Sequence, residues 1–192
     1  MNIILASASP RRTEILHLAG IKHQIIPSNC KENIEKGLKP FEIVESLSYQ
    51  KALDVFQNHN ESIVIGADTI VTIDNFILGK PHNEEEAIWM LQLLSNKTHQ
   101  VITGVTIITN HLVKTFHEIT YVTIQELSLE QIKQYIHSEN VYDKAGSYAV
   151  QGSFCKFISK INGDFYNVVG LPISRLYKDC LLYTSPSPRD GL

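Results

Sequence analysis

The run Ser62-Ile-Val-Ile-Gly-Ala-Asp-Thr-Ile-Val-Thr72 decides how this chain folds. Its density of Ile and Val marks it as the strongest strand of the sequence. An aspartate, Asp68, interrupts the apolar pattern. Asp disfavours strand interiors and is expensive to bury unpaired. Two readings stay open on local grounds: a metal-binding or water-activating carboxylate, or a structural Asp that caps a turn. In α/β folds ligands gather at strand ends, which favours the first.

Downstream, Asp74-Asn75 reads as a turn and residues 76–80 as the returning strand of a hairpin. Asn83 caps a helix to about Leu94, and Glu84, Glu85 and Glu86 suit the positive end of its dipole. Residues 99–109 and 112–124 read as long strands joined at Asn110-His111. Ser128-x-x-Gln131 is a capping box that opens a helix to about His137. Residues 143–146 read as a loop, and 148–151, 154–161 and 165–169 as strands, with Pro172 opening a last helix.

Upstream, residues 2–6 form a short strand. Ser9-Pro10 looks like an N-cap with proline at the first helical position, and Gly20 is placed to end that helix. Residues 21–27 read as a second strand and 29–39 as a polar loop. A helix from Pro40 to about Asn58 carries Ile43, Val44 and Leu47 on one side. Helices and strands interleave, yet hairpins are common, so a mixed α/β sheet fits better than a purely parallel one.

Composition narrows the classes. The 192 residues are 43% hydrophobic and 19% charged, a globular balance that suits one domain, with a net charge of −3. A protein held to nucleic acid mainly through phosphate contacts usually carries a basic excess, so that class loses weight. No apolar run approaches the roughly 18 residues of a membrane span, and the cytoplasm is the expected location. Cys30, Cys155 and Cys180 lie far apart, form no C-x-x-C pair, and none is followed six residues later by Arg. Neither a structural zinc site nor a thiol phosphatase loop is expected. Residues 183–192 are turn-rich, with Ser-Pro-Ser-Pro, and stand apart as a disordered or non-native extension to a domain over 1–182.

Leu5-Ala-Ser-Ala-Ser-Pro-Arg-Arg12 offers a helix start with two hydroxyls and two guanidiniums, the ingredients of a phosphate cradle. A capped helix with solvated arginines is the alternative. Lys51, Lys80 and Glu32 are each weak alone, and a lone His99 at a strand start is more often structural than a ligand. The chain has no G-x-x-x-x-G-K-[ST], no G-x-G-x-x-G and no G-x-S-x-G.

Taken in order, Leu5–Arg12, Gly66-Ala-Asp-Thr-Ile70, Leu78-Gly-Lys-Pro81, Thr98-His-Gln-Val101 with Thr103-Gly104, Asp143-Lys-Ala-Gly146, Tyr148-Ala-Val-Gln-Gly152 and Asn167-Val-Val-Gly-Leu-Pro172 resemble the Maf family over about residues 2–180. These are nucleoside triphosphate pyrophosphatases, first named as septum-formation inhibitors. The resemblance implies an elongated twisted mixed sheet with helices, in two lobes flanking a cleft, as in the inosine-triphosphatase-like proteins. It implies a homodimer, and hydrolysis of a nucleoside triphosphate to the monophosphate and pyrophosphate with Mg²⁺ or Mn²⁺. Stable nucleic-acid or membrane partners are not implied.

Gly-Ala-Asp-Thr, Asp-Lys-Ala-Gly and the Gln-Gly pair are typical of the branch acting on dTTP and UTP. The sister branch, acting on 7-methyl-GTP, is the alternative, and a non-catalytic regulator of division is a third reading that only the family name motivates. By resemblance, Asp68 is the proton acceptor that polarises the attacking water, with Glu32 and Lys80 in the same catalytic set. Asp68 and Glu32 would hold the metal. Arg11, Thr69 and Gln151 match positions linked to substrate choice, and Ser7, Arg12 and Lys51 match polar positions near the phosphates. Asn96 stands where the family usually has Gly, and Asn29-Cys-Lys-Glu32 where Asp-rich loops are common.

Overall fold

A computed structural model describes residues 2–178. The tail at 183–192, with Cys180, lies outside the described residues. Strand β1 (Ile3–Leu5) leads into helix α1 (Pro10–Leu18), then β2 (Gln24–Ile25), α2 (Pro40–Phe56), β3 (Ile63–Ile73) and β4 (Phe76–Leu78). Helix α3 (Glu84–Leu94), strands β5 (Thr98–Ile108) and β6 (Val113–Ile124) and helix α4 (Leu129–Ser138) follow. Two short 3₁₀ turns precede β7 (Ile158–Asn162), α5 (Phe165–Val169) and α6 (Ile173–Leu176).

The seven strands form one mixed sheet in the order β2-β1-β3-β5-β6-β7, with β4 added to β3. Strand β1 runs parallel to β2 and β3, and every other pair is antiparallel. Long β3 organises the rest. One of its edges is paired with β5 from Val64 to Thr72. Its other edge is paired with β1 over Ile63–Ile65 and with β4 over Val71–Ile73. Residues 66–70 therefore have no strand partner on that second edge, and a gap opens in the sheet around Asp68 and Thr69.

Separate cores sit on either side of that gap. Leu5, Ile15, Leu16, Ile65, Val169, Leu171 and Leu176 pack together at the β1 end. At the β4 end Val71, Leu78, Met90, Leu91, Ile132, Tyr135 and Phe154 form the larger cluster under α3 and α4. These are the two lobes, and β3 passes through both.

Helix α2 lies on the sheet so closely that its backbone touches two glycines. A Cβ added at Gly66 would overlap the Ser48 carbonyl and Ala52, and one at Gly104 would overlap the backbone of Val44. Glycine at these positions lets the helix settle onto the strands. The helix begins with a capping box in which Glu42 accepts the Lys39 N–H at 2.7 Å.

Several expected strands are absent, for identifiable reasons. The strand over 21–27 shrinks to Gln24–Ile25 because Ile21 is used to end α1. Its N–H reaches the Leu16 carbonyl at 2.9 Å while Gly20 reaches that of His17 at 2.9 Å, a Schellman closure. Residues 148–151 form no strand, since Gly146, Ser147 and Gly152 all take positive φ. In place of a strand from 154, Ser153–Phe157 is a 3₁₀ helix that turns Phe154 and Phe157 inward, and β7 starts only at Ile158. Residues 165–169 are helix α5, because Asp164 caps it, accepting from Tyr166 at 2.7 Å and Asn167 at 3.3 Å. Ser9 occupies the cap position of α1 but its hydroxyl makes no cap hydrogen bond. Asn96 takes φ 55°, the left-handed conformation that a glycine would adopt freely and that Asn tolerates.

The close packing of α2 on β5 gives a direct test. Gly104→Ala should lower the urea midpoint with an unchanged slope, by an amount equivalent to about 1–3 kcal/mol or more, because backbone rather than a flexible side chain must yield.

Candidate functional site

Two polar clusters meet at the gap in β3. Asp68 and Thr69 are neighbours on a strand, so their side chains leave opposite faces of the sheet. On the α2 face, Lys51 Nζ lies 2.5 Å from Asp68 Oδ1 and 3.0 Å from Glu32 Oε1. Lys51 and Asp68 are both mostly buried, and Glu32 is half exposed.

The loop carrying Glu32 is held by two α2 side chains that sequence reasoning did not single out. Asp54 accepts from the Ser28 hydroxyl and the Asn29 N–H, both at 2.9 Å. Gln50 accepts the Asn33 N–H at 2.9 Å and donates to its carbonyl at 2.8 Å. Gln50 and Asp54 are four residues apart, so one helix face presents the staple and Lys51 sits beside it.

On the opposite face the Arg12 guanidinium is locked inside the protein. Its Nε donates to the Gly170 carbonyl at 2.8 Å, Nη1 to Ser7 Oγ at 2.9 Å and Nη2 to Thr69 Oγ1 at 3.1 Å. Burial draws its pKa below the ordinary guanidinium value; the negative charge of Asp68 opposes this and Arg11 reinforces it. Arginine remains charged throughout. Arg12 bonds Thr69, the residue next to Asp68, so the two clusters adjoin along β3. Gly170 has φ 125°, and this conformation ends α5 with its carbonyl presented to Arg12.

Arg11 turns the other way. Its Nη1 bonds Asp143 Oδ2 at 3.1 Å and its Nη2 the Asp143 carbonyl at 3.2 Å. Lys144 bonds Asp143 Oδ1 at 2.7 Å and also the Asn140 carbonyl. Partial burial pushes the Asp143 pKa up, but Lys144 and Arg11 outweigh it, and the net direction is down. The 143–147 segment docks on the hairpin through the Gly146 N–H, which donates to the Gly79 carbonyl at 3.0 Å. Arg11–Asp143 thus spans from the α1 lobe to the α4 lobe.

The residue types suit a phosphorylated ligand. Guanidiniums, an ammonium and hydroxyls offer donors to phosphate oxygens. Two carboxylates already sharing one cation, Lys51, form a donor set suited to a hard divalent ion that also binds ligand phosphates. No group of three or more His, Cys, Asp or Glu side chains able to hold a metal occurs among the described residues. A groove of about 540 Å³ on the far side of the hairpin, lined by Thr72, Phe76, Gln100 and Tyr121, is less suited. Its one acidic residue, Asp74, is paired with Lys97 at 3.5 Å, and no Lys or Arg lines it to offset the charge of a polyphosphate.

The family model described as Maf-like protein matches residues 2–181. The chain belongs to the Maf-like family. A curated dTTP/UTP pyrophosphatase of Bacillus cereus is 55% identical over 177 residues, 92% of this chain and 93% of that protein. One from a strain of Bacillus anthracis is 54% identical over the same length and shares. The solved structure of the Staphylococcus aureus Ham1 protein superposes with a TM-score of 0.46 at 15% identity, over 65% of this chain and 72% of that one.

Of the residues expected at the site of this Maf-like chain, the structure brings Ser7, Arg12 and Thr69 together, and separately Glu32, Lys51 and Asp68. Lys80 and Gln151 are exposed, and no hydrogen bond or ion pair joins either to those sets. Lys80 follows Gly79 at the hairpin end. Gln151 sits on a turn pinned by Glu139, which accepts from the Ser153 hydroxyl at 2.8 Å. No helix among the described residues is long and apolar enough to cross a membrane. Sequence reasoning missed Thr103, Asn167, Gly170, Asp143 and Lys144 as members of the network.

His99 is structural, as expected. Its Nε2 lies 2.6 Å from the Tyr148 hydroxyl, which anchors the segment leading to Gln151. Burial holds its pKa down at about 4. Between pH 6.5 and 4 the unfolded chain therefore binds a proton that the folded one refuses. Stability should fall as pH falls through that window, by about 3 kcal/mol at pH 4. Thermal melts from pH 7 to 4 check this, and His99→Gln should flatten the slope.

Proposed function

We propose that this chain hydrolyses dTTP and UTP to the nucleoside monophosphate and pyrophosphate. The observation that carries the proposal is Asp68: a mostly buried carboxylate held 2.5 Å from Lys51 at the open edge of β3, within the field of Arg12. The curated relatives named above support the substrate pair. Residues 1–182 act as one domain in this reading, and a cytoplasmic homodimer goes with the family.

Asp68 takes the proton from water as the water oxygen attacks the α-phosphorus. The bond from that phosphorus to the α–β bridging oxygen breaks, and pyrophosphate leaves. Lys51 holds the Asp68 carboxylate in place. Ser7, Arg12 and Lys80 offer donors to the phosphate oxygens. Thr69, Arg11 and Gln151 select the nucleoside, and a Gln amide can both donate to and accept from a pyrimidine edge. Asp68 and Glu32 would hold Mg²⁺ or Mn²⁺, which when bound neutralises phosphate charge.

Asp68→Asn removes the base while keeping its shape. It should lower kcat about 10²–10⁴-fold with little change in melting temperature. Pyrophosphate release with Mg²⁺ or Mn²⁺ across dTTP, UTP, CTP, ATP, GTP and 7-methyl-GTP checks both parts. Full activity of the variant would remove Asp68 from the mechanism. Preference for 7-methyl-GTP would move the chain to the sister branch and overturn the role of Gln151.

A further inference from the structure

The hydroxyls around Arg12 have fixed directions. Helix α5 ends at Val169, and the Leu171 N–H that would serve the Asn167 carbonyl bonds Tyr166 at 2.9 Å. The Asn167 carbonyl is left without a backbone donor, and the Thr103 hydroxyl supplies one at 3.0 Å. A carbonyl only accepts, so the one proton of Thr103 is committed there. Thr69 and Thr103 share a hydrogen bond of 2.9 Å, and with Thr103 spent Thr69 must be its donor. Thr69 also accepts from Arg12 Nη2 at 3.1 Å. One lone pair of Thr69 remains, and no proton.

Ser7 is wired in the opposite sense. Its oxygen accepts from Arg12 Nη1 at 2.9 Å and from the Ser9 N–H at 3.2 Å, so both lone pairs are used and its proton is free. Arg12 is thus flanked by a hydroxyl that only donates, facing anions well, and one that only accepts. Thr103 itself is fully buried and touches only protein, as is Asn167, whose amide donates to the Val101 carbonyl at 3.1 Å and Thr120 Oγ1 at 3.0 Å.

We propose that Thr103 is a positioning residue for specificity: by spending its proton on Asn167, it turns the Thr69 hydroxyl inward and makes the cleft demand a hydrogen-bond donor from the nucleoside. This rests on the reading of Thr69 as a substrate-choice residue. The donor is the imide N3–H of uracil or thymine, or the 3′-hydroxyl of the sugar. The 2′-hydroxyl is not the donor if dTTP, which lacks it, is a substrate. Cytosine presents a bare N3 lone pair, which would face the lone pair of Thr69.

The test compares kcat/KM of wild type, Thr103→Val and Thr103→Ser on two pairs, UTP against CTP and dTTP against 2′,3′-dideoxy-TTP. In Thr103→Val the Thr69 hydroxyl regains its rotation. The preference within one pair should fall about tenfold, the size of one hydrogen bond, and Thr103→Ser should restore it. A change in the first pair assigns the imide, and in the second the sugar hydroxyl. Wild-type ratios in both pairs with only a lower melting temperature would mean a purely structural Thr103 and overturn the proposal. Wild type that turns over neither dTTP nor UTP would overturn the functional reading with it. The wiring can also be read without a variant. In the wild-type NMR spectrum the Thr103 hydroxyl proton should couple through its hydrogen bond to the Asn167 carbonyl carbon, and coupling of the Thr103 oxygen's proton toward Thr69 instead would overturn the proposal even if Thr103→Val does not fold.

Discussion

The buried Arg12 guanidinium is the constraint on which the site depends. A charge taken out of water must find partners or it is strongly destabilising. Arg12 finds three, and they come from distant parts of the chain: Ser7 after β1, Thr69 in β3 and Gly170 at the end of α5. Satisfying one side chain therefore fixes the first turn, strand β3 and helix α5 relative to one another. Helix α5 in turn is set by Asp164 at its start and by Asn167, whose side chain ties it to β5 and β6.

The gap in β3 gives that lock its use. A continuous sheet would place Asp68 and Thr69 on opposite, mutually inaccessible faces. Because the pairing of β1 with β3 ends at Leu5–Ile65 and that of β4 begins at Val71, the intervening edge is open and a ligand can reach both faces around it. Charge chemistry sits on one face, with Lys51, Asp68 and Glu32. Hydrogen-bond recognition sits on the other, where Arg12 orients neutral hydroxyls. The strand separates two tasks that the gap then reunites.

Much of this was legible in the sequence, and the misses have physical causes. The β-branched run at 62–72 marked the central strand, and Ser128-x-x-Gln131 marked α4 by a local rule that the structure obeys. Helix α5 was hidden because Val168 and Val169 look like strand residues, while the deciding signal was a single Asp cap at 164. The segment 148–157 was hidden because three residues with positive φ bend it, and only Gly152 and Gly146 hinted at that. Of the residues in the two clusters, Asp68, Arg12, Ser7 and Thr69 lay in motifs that named them as expectations. Thr103 and Asn167 lay within quoted motifs, yet nothing local marks a threonine whose role is to orient another threonine 34 positions away. Long-range hydrogen-bond direction is a property of the folded network, not of any one segment.

Charge balance completes the argument for how a polyphosphate is held. Arg11, Arg12, Lys51 and Lys144 bring four positive charges to the two clusters and their Arg11–Asp143 bridge, and Glu32, Asp68 and Asp143 bring three negative ones. The free site is nearly neutral, with each cation already engaged. That arrangement lets the protein bury Arg12 and Lys51 without a large electrostatic penalty. It also means that the side chains alone cannot offset the several negative charges of a triphosphate. Asp68 and Glu32, the two carboxylates on Lys51, would hold a divalent cation, which when bound would supply the missing positive charge. Near-neutrality without ligand is a consequence of these seven side chains, and it is the reason the proposed reaction would call on a cation.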